Sequence, residues 1–209
     1  MSSGETTSRA EQLVEVLGRG DSLAIVSHDN PDPDCIASAL ALRAIAHESG
    51  VPDVEIFYSG EVSHQQNRAF VNLLNVDMHD FSHEAIAEYD MVGFVDHSAR
   101  GENNEVAEGR HVDIIIDHHP PDEKVEANFV DVREDFGATT TILVEYLREL
   151  DMDIDEDLAT ALLFAIRTET LDFLRGTTSR EYEAAEFLHG IADIELLKQM
   201  IKPAFSPQT

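Results

Sequence analysis

The sequence predicts an α/β protein: a doubly wound, mostly parallel sheet flanked by helices, with a helical C-terminal part. Three observations lead there. Apolar runs of strand length alternate with segments of helical period up to about residue 132. Beyond that point the chain reads as mostly helical. And the apolar run Ile114-Ile115-Ile116 ends in Asp117-His118-His119 followed by two prolines. Proline lacks the N–H a central strand needs, so the chain turns there and delivers polar groups at a strand's carboxyl end.

Residues 1–10 read as a polar tail and Ala10–Leu17 as a short amphipathic helix. Ser22–Ser27 is a first strand. His28-Asp-Asn-Pro-Asp-Pro-Asp34 holds two prolines and is a loop. Cys35–Glu48 carries a helical pattern through Ile36, Leu40 and Ile45 and stops at Gly50. Val54–Tyr58 is a second strand and Gln65–Leu74 a helix. Met91–Asp96 and Val112–Asp117 are the third and fourth strands, and Phe129–Val132 is a short fifth. Gly137-Ala-Thr-Thr-Thr-Ile142 opens a helix that runs to about Leu150. Glu156–Arg167, Arg180–His189 and Ile194–Ile201 complete the helices.

Composition narrows the function. The chain has 209 residues, 43% of them hydrophobic, which suits one globular domain or a domain with a short appendage. No apolar run approaches the roughly 18–20 residues a membrane span needs, and no apolar core follows Met1, so a cytoplasmic protein without a membrane partner is expected. One cysteine, Cys35, excludes an internal disulfide framework and a thiolate-rich metal site within one chain. It reads as a small apolar filler beside the loop. There are 42 acidic residues against 14 basic ones, a formal net charge of -28. Self-repulsion on that scale fits a protein of a high-salt organism, since at molar salt the Debye length is only about 3 Å. No basic stripe is present to collect phosphates. A phosphate substrate would therefore need bound cations and a few arginines.

Three strands end alike. The first leads into His28, Asp32 and Asp34, the third into Asp96, and the fourth into Asp117-His118-His119. A parallel sheet puts these ends on one edge, where ligands of open α/β sheets bind. His28, Asp32, Asp34, Asp96 and His118 then form an imidazole–carboxylate cluster suited to first-row divalent metals such as Mn²⁺. Two ions sharing a bridging carboxylate fit so many ligands better than one, and paired metals serve displacement at phosphorus. Taken singly, each residue has a plainer reading: Asp32 and Asp34 as turn and N-cap residues, His28 as a loop histidine, Asp96 as the cap of a turn. His64, His83 and His97 read as structural or surface histidines.

The loop His28-Asp-Asn-Pro-Asp-Pro-Asp-Cys-Ile-Ala-Ser38, the strand end at Asp96, Asp117-His118-His119 and Gly137-Ala-Thr-Thr140 together resemble the DHH phosphoesterase superfamily over about residues 20–190. Its RecJ-like and oligoribonuclease/pAp-phosphatase branches look most similar. The resemblance implies two Mn²⁺ ions, with Mg²⁺ as the alternative. His28, Asp32 and Asp96 would hold one, and Asp34, Asp96 and His118 the other. Family members add an aspartate from a later motif, where this chain has Glu169, one methylene longer. Glu169 is the expected last ligand; its plainer reading is a surface glutamate after a helix. His119 would contact the scissile phosphate or donate a proton, and Asp117 would orient an imidazole. Gly137, Thr139 and Thr140 at a helix N-terminus offer backbone N–H groups to an anion, or simply begin the helix. Arg100 and Arg175 are candidate phosphate contacts.

On this reading residues 1–20 form a tail and short helix, 21–190 the catalytic domain, and 191–209 a C-terminal helix and the start of an interdomain linker. The family's nucleases carry a second, substrate-gripping domain after the catalytic one, and no such segment follows here. The reading leaves room for that domain as a missing partner and for a homodimer. The expected function is hydrolysis of short nucleotides: oligoribonucleotides, pAp or cyclic dinucleotides. The alternatives are a RecJ-like single-strand DNA exonuclease and a catalytically weak module that binds a regulatory partner.

Overall fold

The computed structural model describes residues 7–98, 104–107, 109–121 and 125–201. Arg100 lies outside them. Among the described residues, six strands form one sheet: β1 (Ser22–Val26), β2 (Asp53–Tyr58), β3 (His79–Asp80), β4 (Met91–Val95), β5 (Ile114–Asp117) and β6 (Phe129–Val132). Their spatial order is β3-β2-β1-β4-β5-β6, and every pairing is parallel. The strand order reverses between β1 and β4, which makes the carboxyl ends of those two strands the switch point of the sheet.

Eight helices accompany the sheet in the described residues: α1 (Arg9–Leu17), α2 (Pro33–Glu48), α3 (Gln65–Leu73), α4 (His83–Ala87), α5 (Thr139–Glu149), α6 (Glu156–Glu169), α7 (Ser179–His189) and α8 (Ile194–Ile201). The strands sort their side chains onto two faces, as a period of two requires. Leu23, Ile25, Ile56, Val95, Ile114 and Ile116 point into the larger core, which α1, α2, α5 and α6 cover. Ala24, Val26, Val92, Phe94 and Ile115 point into a smaller one, closed by Ile86 of α4 and by Val106 and Val112. With both faces covered, the central strands read as unbroken apolar runs. Helix α1 belongs to the larger core through Ala10, Leu13, Val16 and Leu17.

Two elements escape the sequence reading. β3 is only His79 and Asp80, both exposed, paired to Phe57 and Tyr58 of β2. α4 is five residues started by the Ser82 hydroxyl, which accepts from the Ala85 N–H. Neither is long enough to show a periodicity.

Candidate metal centre

The site begins with how each strand stops. β4 is buried throughout and ends at Asp96, whose φ of 63° is left-handed. Aspartate tolerates that region better than most residues. Its N–H still donates to the Ile116 carbonyl at 2.9 Å, so the sheet holds the backbone while the strand direction breaks. β1 ends in the loop that starts α2. There Asp32 is the N-cap, and its Oδ1 accepts from the N–H groups of Asp34 (3.0 Å) and Cys35 (3.1 Å). Pro33 in the first turn removes one donor that would have no partner. The plainer reading of Asp32 is thus one of its real tasks; it also lines the cleft beside the cluster.

Asp34 is buried, and backbone donors satisfy its carboxylate. Oδ2 accepts from the Thr139 N–H at 2.8 Å and Oδ1 from the Thr140 N–H at 2.9 Å. The N-cap of α5 is Ala138, which has no side chain to satisfy those donors. Asp34 serves as that cap from more than a hundred residues away. The anion held by this helix start is therefore a protein carboxylate. Thr139 also donates its hydroxyl to Asp96 Oδ1 at 2.8 Å, and Thr140 Oγ1 donates to the Asp34 carbonyl at 3.3 Å. Gly137 N donates to the fully buried Glu181 Oε1 at 2.9 Å. A Cβ on Gly137 would lie 2.5 Å from the Gly176 carbonyl oxygen.

β5 contributes the histidines. Asp117, fully buried, accepts at Oδ1 from both the His119 N–H (3.0 Å) and His119 Nδ1 (2.9 Å). His118 Nδ1 is 3.1 Å from the Phe136 carbonyl, which fixes the proton on Nδ1 and leaves Nε2 bare. That Nε2 lies 3.8 Å from Asp34 Oδ2 and 3.7 Å from Asp96 Oδ1. His28 Nε2 lies 3.7 Å from Asp96 Oδ2. Such separations are too long for hydrogen bonds but suit ligands facing a common ion.

Electrostatics point the same way. Burial, and then the charge of Asp34, push the Asp96 carboxyl well above the carboxylate range. Burial, opposed by His118 but aided by Asp32, raises Asp34 as well. Burial works against a charged His28, but Cys35 and Asp96 outweigh it and push its pKa up to about 12. The cluster is short of positive charge. Among the described residues, buried atoms there without hydrogen-bond partners include His118 Nε2, Asp117 Oδ2, His97 Nε2 and Asp29 Oδ1, and buried polar atoms are seldom left so. Asp96, His118 and His119 offer ligand atoms within 4.8 Å of one another, as do His28, Cys35 and Asp96. The donor set, hard carboxylates with imidazoles, fits a divalent first-row ion.

Glu169, at the end of α6, lines the same cleft as Asp32 and Asp34. Burial, with Asp34 and Asp32 after it, raises its pKa. Its Oε1 pairs with Arg175 Nη2 at 2.9 Å, and the same nitrogen donates to the Glu169 carbonyl. Arg175 is thereby placed at the rim, on Glu169. Cys35 is buried in the larger core, as a small filler would be, and its thiol donates to the Val95 carbonyl at 3.4 Å beside His28 and Asp96. His97 is buried, stacked on Phe94 at 4.6 Å and set edge-on to His28 at 6.2 Å.

The "DHH family, N-terminal domain" matches residues 22–166. An uncharacterized protein of Methanocaldococcus jannaschii is 37% identical over 186 residues, 89% of this chain and 38% of its own length. A probable manganese-dependent inorganic pyrophosphatase of Listeria monocytogenes is 30% identical over 175 residues, 82% of this chain and 56% of its own. The chain thus spans between a third and three-fifths of the length of these relatives. Among solved structures, an exopolyphosphatase-related protein of Bacteroides fragilis shares the fold, with a TM-score of 0.70 and 17% identity over 99% of this chain and 64% of that one. The matched stretch runs from the first strand to the sixth helix and so contains nearly all the strand-end cluster: the chain belongs to the DHH family.

Proposed function

We propose that this chain is the catalytic part of a metal-dependent phosphoesterase that hydrolyses short nucleotides such as oligoribonucleotides, pAp or cyclic dinucleotides. The observation that carries the reading is the convergence of Asp34, Asp96 and His118 from three strand ends, with His118 Nε2 lying 3.8 Å from Asp34 and 3.7 Å from Asp96 and without a hydrogen-bond partner among the described residues. Manganese is the metal of choice, following the names of the relatives. His28, Asp32 and Asp96 would hold one ion and Asp34, Asp96 and His118 the other, with Glu169 within the same cleft. Ions there would supply Lewis acidity at the phosphoryl group and offset the charge of the carboxylates.

The protein's own groups do the rest. Thr139 and Thr140 hold Asp34 and Asp96 in place through four hydrogen bonds. His119 is half-exposed at the mouth, and Asp117 fixes the proton on its Nδ1. The hydrogen bond that His119 donates to Asp117 pushes the His119 pKa up to about 9. At neutral pH the imidazole is then cationic, and Nε2–H can contact a phosphate oxygen or protonate a leaving oxygen. Arg175, paired with Glu169 and exposed, would meet an outlying phosphate once it lets go of Glu169.

The test is release of product from pAp or a dinucleotide by the purified protein with Mn²⁺ in high salt. Asp96→Ala is the control, and equal inertness of both proteins would sink the reading. Hydrolysis of inorganic pyrophosphate is the second reading, favoured by the names of relatives at 28–30% identity; the same assay with pyrophosphate separates the two.

A further inference from the structure

Beside the cluster a cleft of about 610 Å³ opens between the start of α3 and the wall formed by Asp32, Asp34 and Glu169. The α3 side is lined by His64, Gln65, Gln66 and Asn67. Asn67 stands out. It is only 6% exposed, and among the described residues its amide makes no hydrogen bond. A largely buried amide normally has partners, and Asn67 lines the cleft, where a bound molecule would supply them. The helix that carries it begins at His64, which provides no side-chain cap, so the first-turn N–H groups have no side-chain acceptor. Arg68, the next residue of the helix, donates to the carbonyls of Val62 and Ser63.

The lining contains neither lysine nor arginine, and its three charged residues are carboxylates. A phosphate fits the cleft's edges, at the metal cluster, at Arg175 on Glu169 and at the start of α3, but the lining itself offers an anion no cationic side chain. An uncharged group rich in donors and acceptors would find partners along it. The volume lies in the range of small-molecule sites, and inorganic phosphate or pyrophosphate would leave most of it empty. An asparagine amide donates and accepts at once and so matches the paired donor and acceptor on the edge of a nucleobase.

We infer that this cleft is the nucleoside subsite of the enzyme, with Asn67 as the residue that reads the base or sugar next to the scissile phosphate. The inference rests on the phosphoesterase reading above and gives its substrate class: a nucleotide rather than an inorganic polyphosphate.

The test is calorimetric binding of AMP, GMP and orthophosphate to the full chain with saturating Mn²⁺ in high salt. The tighter of the two nucleotides is expected to bind at least tenfold better than orthophosphate. Asn67→Ala and the milder Asn67→Ser should remove about tenfold of that preference, worth about 1.4 kcal/mol, and leave orthophosphate binding unchanged. Gln66→Ala, on a less buried residue, serves as the variant least prone to folding defects and should lower the preference in the same direction. Equal binding of nucleotide and orthophosphate would overturn the subsite. So would variants with native melting curves that keep the preference, or that lose orthophosphate binding in parallel. The measurement needs no turnover. A preserved nucleotide preference without any hydrolysis would sink the phosphoesterase reading alone, and hydrolysis without the preference would sink the subsite alone.

Discussion

Asp34 and Thr139 are joined by a 2.8 Å hydrogen bond from the Thr139 N–H to Asp34 Oδ2, across 105 positions of sequence. Through it the start of α5 holds the start of α2, and the two helix N-termini converge on one buried carboxylate. The Thr139 hydroxyl extends the link to Asp96 Oδ1. Thr139→Val keeps the shape and the backbone bond but removes that hydroxyl. Groups that orient metal ligands typically change affinity by about 10–100-fold. We expect Mn²⁺ affinity to fall about tenfold by calorimetry, with an unchanged circular dichroism spectrum.

Asp117 and His119 set a pH dependence. The folded pKa of His119 is raised to about 9, so the cation is present at neutral pH and is lost as pH rises through that value. If the protonated imidazole is the active form, the rate falls on the alkaline side. Asp117→Asn removes the charged partner, and the alkaline limb should move to lower pH. A profile that does not move would separate His119 from proton transfer.

Glu181 holds the loop that carries Thr139 and Thr140. Its Oε1 accepts from Gly137 N, and its Oε2 accepts from the Thr178 N–H and hydroxyl in a capping box. Glu181→Ala leaves the buried Gly137 N–H without a partner and removes the acceptor of the half-buried Thr178, at a cost of about 1–3 kcal/mol. Urea unfolding measures it. Gly137→Ala should also destabilise, because its Cβ would meet the backbone at Gly176.

The strand-end carboxylates set function against stability. Asp34 and Asp96 repel each other in a buried place, so Asp96→Asn should melt at a higher temperature than wild type in metal-free buffer. Added Mn²⁺ should reverse the order, since a ligand at a hundred times its Kd stabilises by about 2.7 kcal/mol. A further effect comes from the net charge of -28. The melting temperature of the metal-free protein should climb with KCl as the Debye length shrinks toward about 3 Å.

What could be read in advance follows from physical distinctness. Buried parallel strands are apolar runs, and a run that stops on Asp or His announces a sheet edge with chemistry on it. His28, Asp34, Asp96 and His118 were legible for that reason, as was the order of helices after residue 132. Glu181 was not: a glutamate on a helix reads as a surface residue, and only the fold buries it. Asn67 was silent because an uncharged amide bears no motif. Gly137, Thr139 and Thr140 read as N–H groups offered to a substrate anion or as a plain helix start; their N–H groups are taken by Glu181 and Asp34, which only three-dimensional contacts could reveal. β3 and α4 are too short and too exposed to mark the sequence.

The most direct test of the metal centre is calorimetric titration of Mn²⁺ into the wild-type chain and into Asp96→Asn, in buffer with molar KCl to suppress loose binding to the acidic surface. Two ions per chain should bind to the wild type, and the variant, lacking the shared carboxylate, should lose tight binding of both. Undiminished binding to Asp96→Asn, or none to the wild type, would contradict a metal site at these strand ends.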